Sequence, residues 1–182
     1  MLKTIFKYFL LTSIFFFNVQ FKNKAIEIEW KNNRPLTWED FIDKPDKGSP
    51  YYALTYSGIS LSSHYEGEAL FVKVICTFSP NQSWVKKGKE TADLLLHEQM
   101  HFNITEIHAR KIRQAISKLD KTNPKKIIKK VDDLFNLYFN ENIKMQSKYD
   151  RETDHSVNTK EQIKWNKLIK TELDKLNAYA VD

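Results

Sequence analysis

The chain has 182 residues, 41% of them hydrophobic, with four glycines and five prolines; this allows one domain with a real core and excludes collagen-like or linker-dominated chains. The formal charge of +6 is uneven: Lys3, Lys7, Lys22 and Lys24 lie in residues 1–25 without an acid, and the rest has 25 basic against 23 acidic residues. That near-balance excludes the clustered basic excess of a nucleic-acid binder. Cys76 is the only cysteine, so no intrachain disulfide is possible.

Residues 1–25 read as an export signal. Lys3 and Lys7 give a positive start, and Tyr8 to Phe17 is a mostly apolar run of signal length, short for a membrane span. Ala25 is the candidate cleavage position, although Asn23 and Lys24 depart from the small-x-small pattern; an uncleaved N-terminal anchor is the alternative. The expected product is a secreted or periplasmic protein, residues 26–182 forming a single domain with no integral membrane part.

Ile26 to Trp30 alternates as a short strand, and Leu36 to Phe41 predicts a short helix with Thr37 as N-cap and Asp40 three residues on. Residues 44–50 are a loop. Tyr52, Leu54 and Tyr56 alternate, and Ile59 and Leu61 continue on a shifted phase, which predicts a bulge at Gly58. Leu70, Val72, Val74, Cys76 and Phe78 then alternate cleanly, predicting an antiparallel pair with one buried face.

Three helices follow. The first starts near Lys86 or Glu90 and runs to Leu119. The second follows Asn123-Pro124 and runs to about Lys148, with Ile127, Val131, Leu134, Phe135 and Tyr138 inward. The third follows Asn158-Thr159 to about Leu176, with Ile163, Leu168, Ile169 and Leu173 inward. Residues 149–156 are a polar loop. The expected fold class is α+β: a small N-terminal antiparallel sheet packed on a C-terminal bundle of three helices, zincin-like, with the key motif on the first long helix.

That motif is His97-Glu98-Gln99-Met100-His101, an HExxH. At about 100° and about 1.5 Å per residue, two histidines four apart share a helix face and can share an ion, with the glutamate flanking as general base. His108 shares the face but lies about 10 Å beyond His101, out of reach, and Glu106 points the opposite way. Ile104 and Ile107 stand where the metzincin extension needs glycine and histidine. Catalytic zinc takes three protein ligands, so the third comes from elsewhere. The polar loop offers Asp150, Glu152, Asp154 and His155; His155 is the expected ligand, with Glu152 or Asp154 as alternatives, and a loop histidine capping the last helix is its structural reading.

HEQMHFNITEIHARKIR resembles the HEQxHFDIxExxARKLR segment of the bacterial family called domain of unknown function 922, described as secreted zinc-dependent proteases. Leu36 to Phe41, Ser57-Gly58-Ile59 and Ser83-Trp84-Val85 agree in order, and YDRETDHS at 149–156 is similar to its YDxETxH segment, followed by Asn158, Gln162 and Trp165. The resemblance spans nearly all of 28–176. Asn103 departs from it, standing where the pattern has Asp; an Asp that orients a ligand histidine would here be replaced by a weaker acceptor.

The resulting expectation is a zinc-dependent metallopeptidase acting on a peptide or protein substrate. His97, His101 and His155 hold Zn2+, Glu98 takes a proton from the metal-activated water and passes it to the leaving amine, and Tyr149 donates to the oxyanion or simply packs at a helix end. One strand of the front sheet runs beside the cleft and pairs with extended substrate. A non-catalytic zinc-binding envelope or cell-surface protein, and a helical envelope protein with an accidental motif, are the other classes open to this sequence.

Overall fold

The computed structural model describes residues 27–67, 69–120 and 124–181; the expected export signal at 1–25 and the Asn123 cap lie outside the described residues. In chain order come β1 (Ile28–Glu29), a 3-10 turn (Trp38–Asp40), β2 (Ala53–Leu54), β3 (Ser57–Glu66), β4 (Ala69–Phe78) and β5 (Trp84–Val85). The helices α1 (Ala92–Ser117), α2 (Pro124–Thr153) and α3 (Thr159–Lys175) follow, and a 3-10 turn at Asn177–Tyr179 comes after them. A small antiparallel sheet followed by three helices is the α+β arrangement expected from the sequence.

β1, β4 and β3 form one antiparallel sheet in that order, and β2 pairs with β5 in a second. β4 behaves as its alternation predicts, with Leu70, Val74, Cys76 and Phe78 buried. The bulge expected at Gly58 is absent. β3 runs in unbroken register along β4 from Ser57↔Phe78 to Glu66↔Ala69. The phase shifts because the chain changes sheets: Ala53 and Leu54 pair with Val85 and Trp84, and only from Ser57 does it join β4. Gly67 turns the β3–β4 hairpin at φ 61°, a left-handed conformation that glycine adopts freely.

The helix expected at 36–41 is a single 3-10 turn. The Thr37 N–H donates to Asp40 Oδ2 at 2.8 Å, and Arg34 donates to both Asp40 oxygens at 3.0 and 2.7 Å. These bonds satisfy the turn locally, and the chain leaves it at Phe41, whose ring is buried against Phe78 at 5.1 Å between centroids.

α1 is the hub. Thr91 caps it by accepting from the Leu94 N–H at 3.2 Å. Phe102, Ala109 and Ile112 pack on the sheet with Ile59, Val74 and Phe78, while Met100, Ile104 and Ile107 pack on Tyr149 of α2 and on Trp165 and Ile169 of α3. Every residue from Ile104 to Arg110 is buried, so this helix has neighbours on all sides.

Two helix expectations are corrected. α3 turns Gln162, Trp165 and Ile169 inward, with Leu173 partly buried, while Ile163 and Leu168 are 64% and 45% exposed. The stripe at 162, 165, 169 and 173 wins because it seats the large Trp165 ring, edge-on to Tyr149 at 5.3 Å, and fully buries Ile169, a side chain whose burial stabilises by about 1.5–3 kcal/mol. α2 also runs five residues past Lys148. The buried Tyr149 anchors this last turn, and Thr153 Oγ1 donates to the Tyr149 carbonyl at 2.7 Å. The connection is thus shorter than the expected loop, and Asp154, His155 and Ser156 all have positive φ (49°, 48° and 79°).

Candidate metal centre

The HExxH segment occupies the first turns of α1, where Leu94, His97, Glu98 and Met100 are buried. The rings of His97 and His101 meet edge to face at 4.8 Å, with their Nε2 atoms 3.2 Å apart. Asp150, on the last turn of α2, places Oδ1 3.3 Å from His97 Nε2 and 3.0 Å from His101 Nε2. Three candidate donors therefore converge within 4.8 Å of one another: two imidazole nitrogens and one carboxylate oxygen.

The far sides of both rings are held. Gln146 Oε1 lies 2.6 Å from His101 Nδ1, and Gln162 Oε1 lies 3.0 Å from His97 Nδ1. Tyr149 lies under the pair, stacked on His97 at 4.6 Å and edge-on to His101 at 4.9 Å.

These residues fit a metal ion on three counts. The donor set is of the nitrogen and oxygen type that zinc and other divalent first-row metals take. The site also attracts positive charge: burial disfavours charge on His101, but the Asp150 hydrogen bond and the nearby Glu98 and Asp150 charges outweigh it and push its pKa up to about 9. Burial likewise opposes ionisation of Asp150, yet the His101 and His97 contacts hold its carboxyl far below the usual range. Finally, among the described residues one buried side-chain oxygen has no hydrogen-bond partner, and it is Glu98 Oε2, in the same wall of the cleft as both histidines. A buried carboxylate oxygen left bare is costly, and such an atom is what a general base for an incoming water needs.

The cleft above these groups has a volume of about 630 Å³. One wall is the segment from Tyr51 to Ile59, and the other is α2, with Phe139, Ile143 and Gln146. Thr55 pins the first wall to the motif by donating from Oγ1 to the Glu98 carbonyl at 3.2 Å.

His97, Glu98 and His101 come together as the motif predicts. The third gathered group is Asp150 where the sequence favoured His155, with Glu152 or Asp154 as alternatives. His155 lies outside Asp150, with Nδ1 3.5 Å from its Oδ1 and its ring against Tyr51 at 4.4 Å; it lines the cleft but is not in the three-donor group. Glu152 accepts from Trp165 Nε1 at 2.9 Å. The cap of α3 is Asn158, which accepts from the Glu161 N–H at 3.3 Å, and not His155.

Of the two readings of Tyr149, oxyanion donor or packing aromatic at a helix end, its surroundings are those of the second. Its side chain is fully buried, and its hydroxyl donates to the His97 carbonyl at 3.2 Å and accepts from Gln162 at 2.6 Å, facing away from the cleft. Burial raises its pKa further, opposed by the Gln162 bond. Asn103 does not orient a histidine either; its Oδ1 accepts from Trp30 Nε1 at 2.8 Å and from Gln99 at 2.9 Å. Gln99 in turn accepts from the Leu36 N–H at 2.7 Å, so these two residues clip the N-terminal segment onto α1. His108 is buried away from the centre, where its Nδ1 donates to the Ile104 carbonyl at 2.9 Å.

Sequence reasoning places neither glutamine in the site. The available signal was spacing: Gln146 stands one helical turn before Asp150, and Gln162 one turn after the Asn158 cap.

The family model described as "Bacterial protein of unknown function (DUF922)" matches residues 79–156, a span holding His97, Glu98, His101, Gln146 and Asp150. The family recognition made on the HEQMHF and YDRETDHS blocks is borne out by this match, which leaves β1 to β4 and α3 outside its limits. No curated protein and no solved structure matches the chain.

Proposed function

We propose that this chain, which carries the domain of unknown function 922 across residues 79–156, is an exported zinc-dependent metallopeptidase. The observation that carries the reading is the bare, buried Glu98 Oε2 beside the His97, His101 and Asp150 donors. His97 Nε2, His101 Nε2 and Asp150 Oδ1 would hold the ion, two imidazoles and a carboxylate being a known catalytic zinc set. When bound, zinc supplies Lewis acidity, lowering the pKa of water and polarising a carbonyl.

The chain's own residues do the rest. Glu98 Oε2 accepts the proton of the attacking water and delivers it to the departing amine nitrogen, the two halves of general acid–base catalysis. Leu94 and Met100, both buried, keep bulk water from this end of α1. A peptide substrate is supported by the edge of β2 that is unpaired among the described residues. The Lys86 N–H donates to the Tyr52 carbonyl at 2.8 Å, and Leu54 pairs with Trp84, so even-numbered residues bond to β5. By the alternation of antiparallel ladders, the backbone groups of Ala53 and Thr55 point the other way, toward the cleft they line. An extended peptide could add there as a further strand. A zincin-like active-site helix beneath a strand edge is part of this proposal, as is zinc as the resident metal and function outside the cytoplasm.

The test is Glu98→Gln in the full domain. Retention of one zinc per chain with peptide hydrolysis reduced at least about 100-fold is expected. Loss of zinc with activity, or unchanged turnover, would overturn the assignment of Glu98. Stoichiometric zinc in wild-type protein with no hydrolysis of unfolded polypeptides would favour a non-catalytic zinc protein.

A further inference from the structure

We infer that Gln146 and Gln162 are positioning residues that fix the tautomers of His101 and His97, so that both imidazoles offer Nε2 to the metal. This rests on the metal-site reading above. It follows from which atoms can donate and which can only accept.

A glutamine amide can be placed either way round, and its neighbours decide. Gln146 Nε2 lies 2.9 Å from the His101 main-chain carbonyl, which has no proton to give, so Nε2 must be the donor there. Further acceptors, Thr105 Oγ1 at 3.1 Å and Asn142 Oδ1 at 3.2 Å, flank the same nitrogen. The other end of the amide, 2.6 Å from His101 Nδ1, is therefore the carbonyl oxygen, and His101 Nδ1 must carry a hydrogen.

The His97 side repeats the logic through one more link. The His97 carbonyl takes the Tyr149 hydroxyl proton at 3.2 Å. The Tyr149 oxygen is then an acceptor for Gln162 Nε2 at 2.6 Å, and Asn166 Oδ1 accepts from the same amide at 2.8 Å. Gln162 Oε1 is left facing His97 Nδ1 at 3.0 Å, so that nitrogen too carries a hydrogen. Turning Gln146 over would set its carbonyl oxygen against the His101 carbonyl, and turning Gln162 over would set its oxygen against Asn166 Oδ1 and draw the Tyr149 proton away from the His97 carbonyl.

In neutral imidazole one nitrogen is protonated and the other holds the lone pair. With the hydrogens on Nδ1, an ion that takes the place of the proton between His101 and Asp150 would meet lone pairs on the two Nε2 atoms, which are 3.2 Å apart and both face Asp150 Oδ1. Each glutamine also grips the backbone of its own histidine, Gln146 directly and Gln162 through Tyr149, so ring and main chain are held by one clamp. The partners are neutral amides, which orient the rings without adding a third negative charge to Glu98 and Asp150. Gln162 lies on α3, beyond residues 79–156, so the last long helix completes a centre whose donors lie within the family match.

The test uses zinc alone as probe. In zinc-loaded wild-type protein, long-range 1H–15N spectra should show His97 and His101 both protonated at Nδ1 and bound through Nε2; Nδ1 binding by either would overturn the inference. Gln146→Leu and Gln162→Leu should each weaken zinc affinity, by chelator competition, about 10–100-fold. Affinity within twofold of wild type in both would also overturn it. The wild-type spectra decide the matter if either variant does not fold. A wild-type chain that binds no zinc would sink the metal site itself, whereas a zinc-loaded chain without hydrolysis leaves the clamp standing and removes only the peptidase.

Discussion

Asp150 and His155 are five residues apart, and the end of a helix separates them. Asp150 is on the final turn of α2, with Oδ1 within 3.3 Å of both histidine Nε2 atoms, while His155 follows in the positive-φ connection and, of the three gathered donors, contacts Asp150. Asp150→Ala is therefore expected to weaken zinc binding at least about 100-fold, as loss of a ligand should exceed loss of a supporting contact. His155→Ala should change it less than about threefold. Equal losses in a chelator titration would return the third ligand to the connection. The HExxH histidines were legible as a pair because helical spacing alone makes them neighbours. Asp150 was visible only as one of four candidates, since a run as polar as 149–156 reads as loop. The helix was nevertheless written there: Asn142, Tyr149 and Thr153, all buried, continue at helical intervals the stripe that starts at Ile127 and Val131.

At the scale of elements, periodicity identified β4 and the three helices but not their partners. Alternation at Tyr52, Leu54 and Tyr56 looks the same whether the strand pairs with β4 or β5, so a change of sheet was read as a bulge. In α3 two apolar stripes compete in the sequence, and the choice falls to the pocket that accepts Trp165, which belongs to the tertiary structure. The Thr37–Asp40 turn was legible because its bonds are local. Burial works against the Asp40 charge, but the Arg34 and Thr37 hydrogen bonds outweigh it and lower its pKa below 3.8. A carboxyl with a depressed folded pKa stabilises above the unfolded value and loses that contribution as pH falls through the folded one. Asp40→Ala should thus destabilise the domain by about 0.5–2 kcal/mol at pH 7. The gap to wild type should narrow as urea unfolding is repeated below about pH 4; a gap independent of pH would show that the charge is not what matters.

Across the whole molecule, Glu106 joins parts far apart in the chain. Its buried carboxylate accepts from Arg110 Nε at 2.8 Å and Arg113 Nη1 at 2.9 Å. Arg113 also donates to the carbonyls of Val74 and Tyr179, and Arg110 to that of Leu173. Sheet, central helix and C-terminal turn are tied through one acid, which explains a polar row inside α1. Removing one partner strands the buried charges that remain, so Glu106→Ala should cost about 3–5 kcal/mol in denaturant unfolding; a loss under about 1 kcal/mol would refute the role. The positions of His97, His101, Asp150 and Gln162 on three successive helices also set a timetable. No segment that ends before α3 contains both clamps, and distant groups meet only after the chain between them has collapsed. A nascent chain that ends before α3 carries the HExxH motif without the Gln162 clamp. The motif is written early in the chain, but the centre it belongs to is finished only by the last long helix.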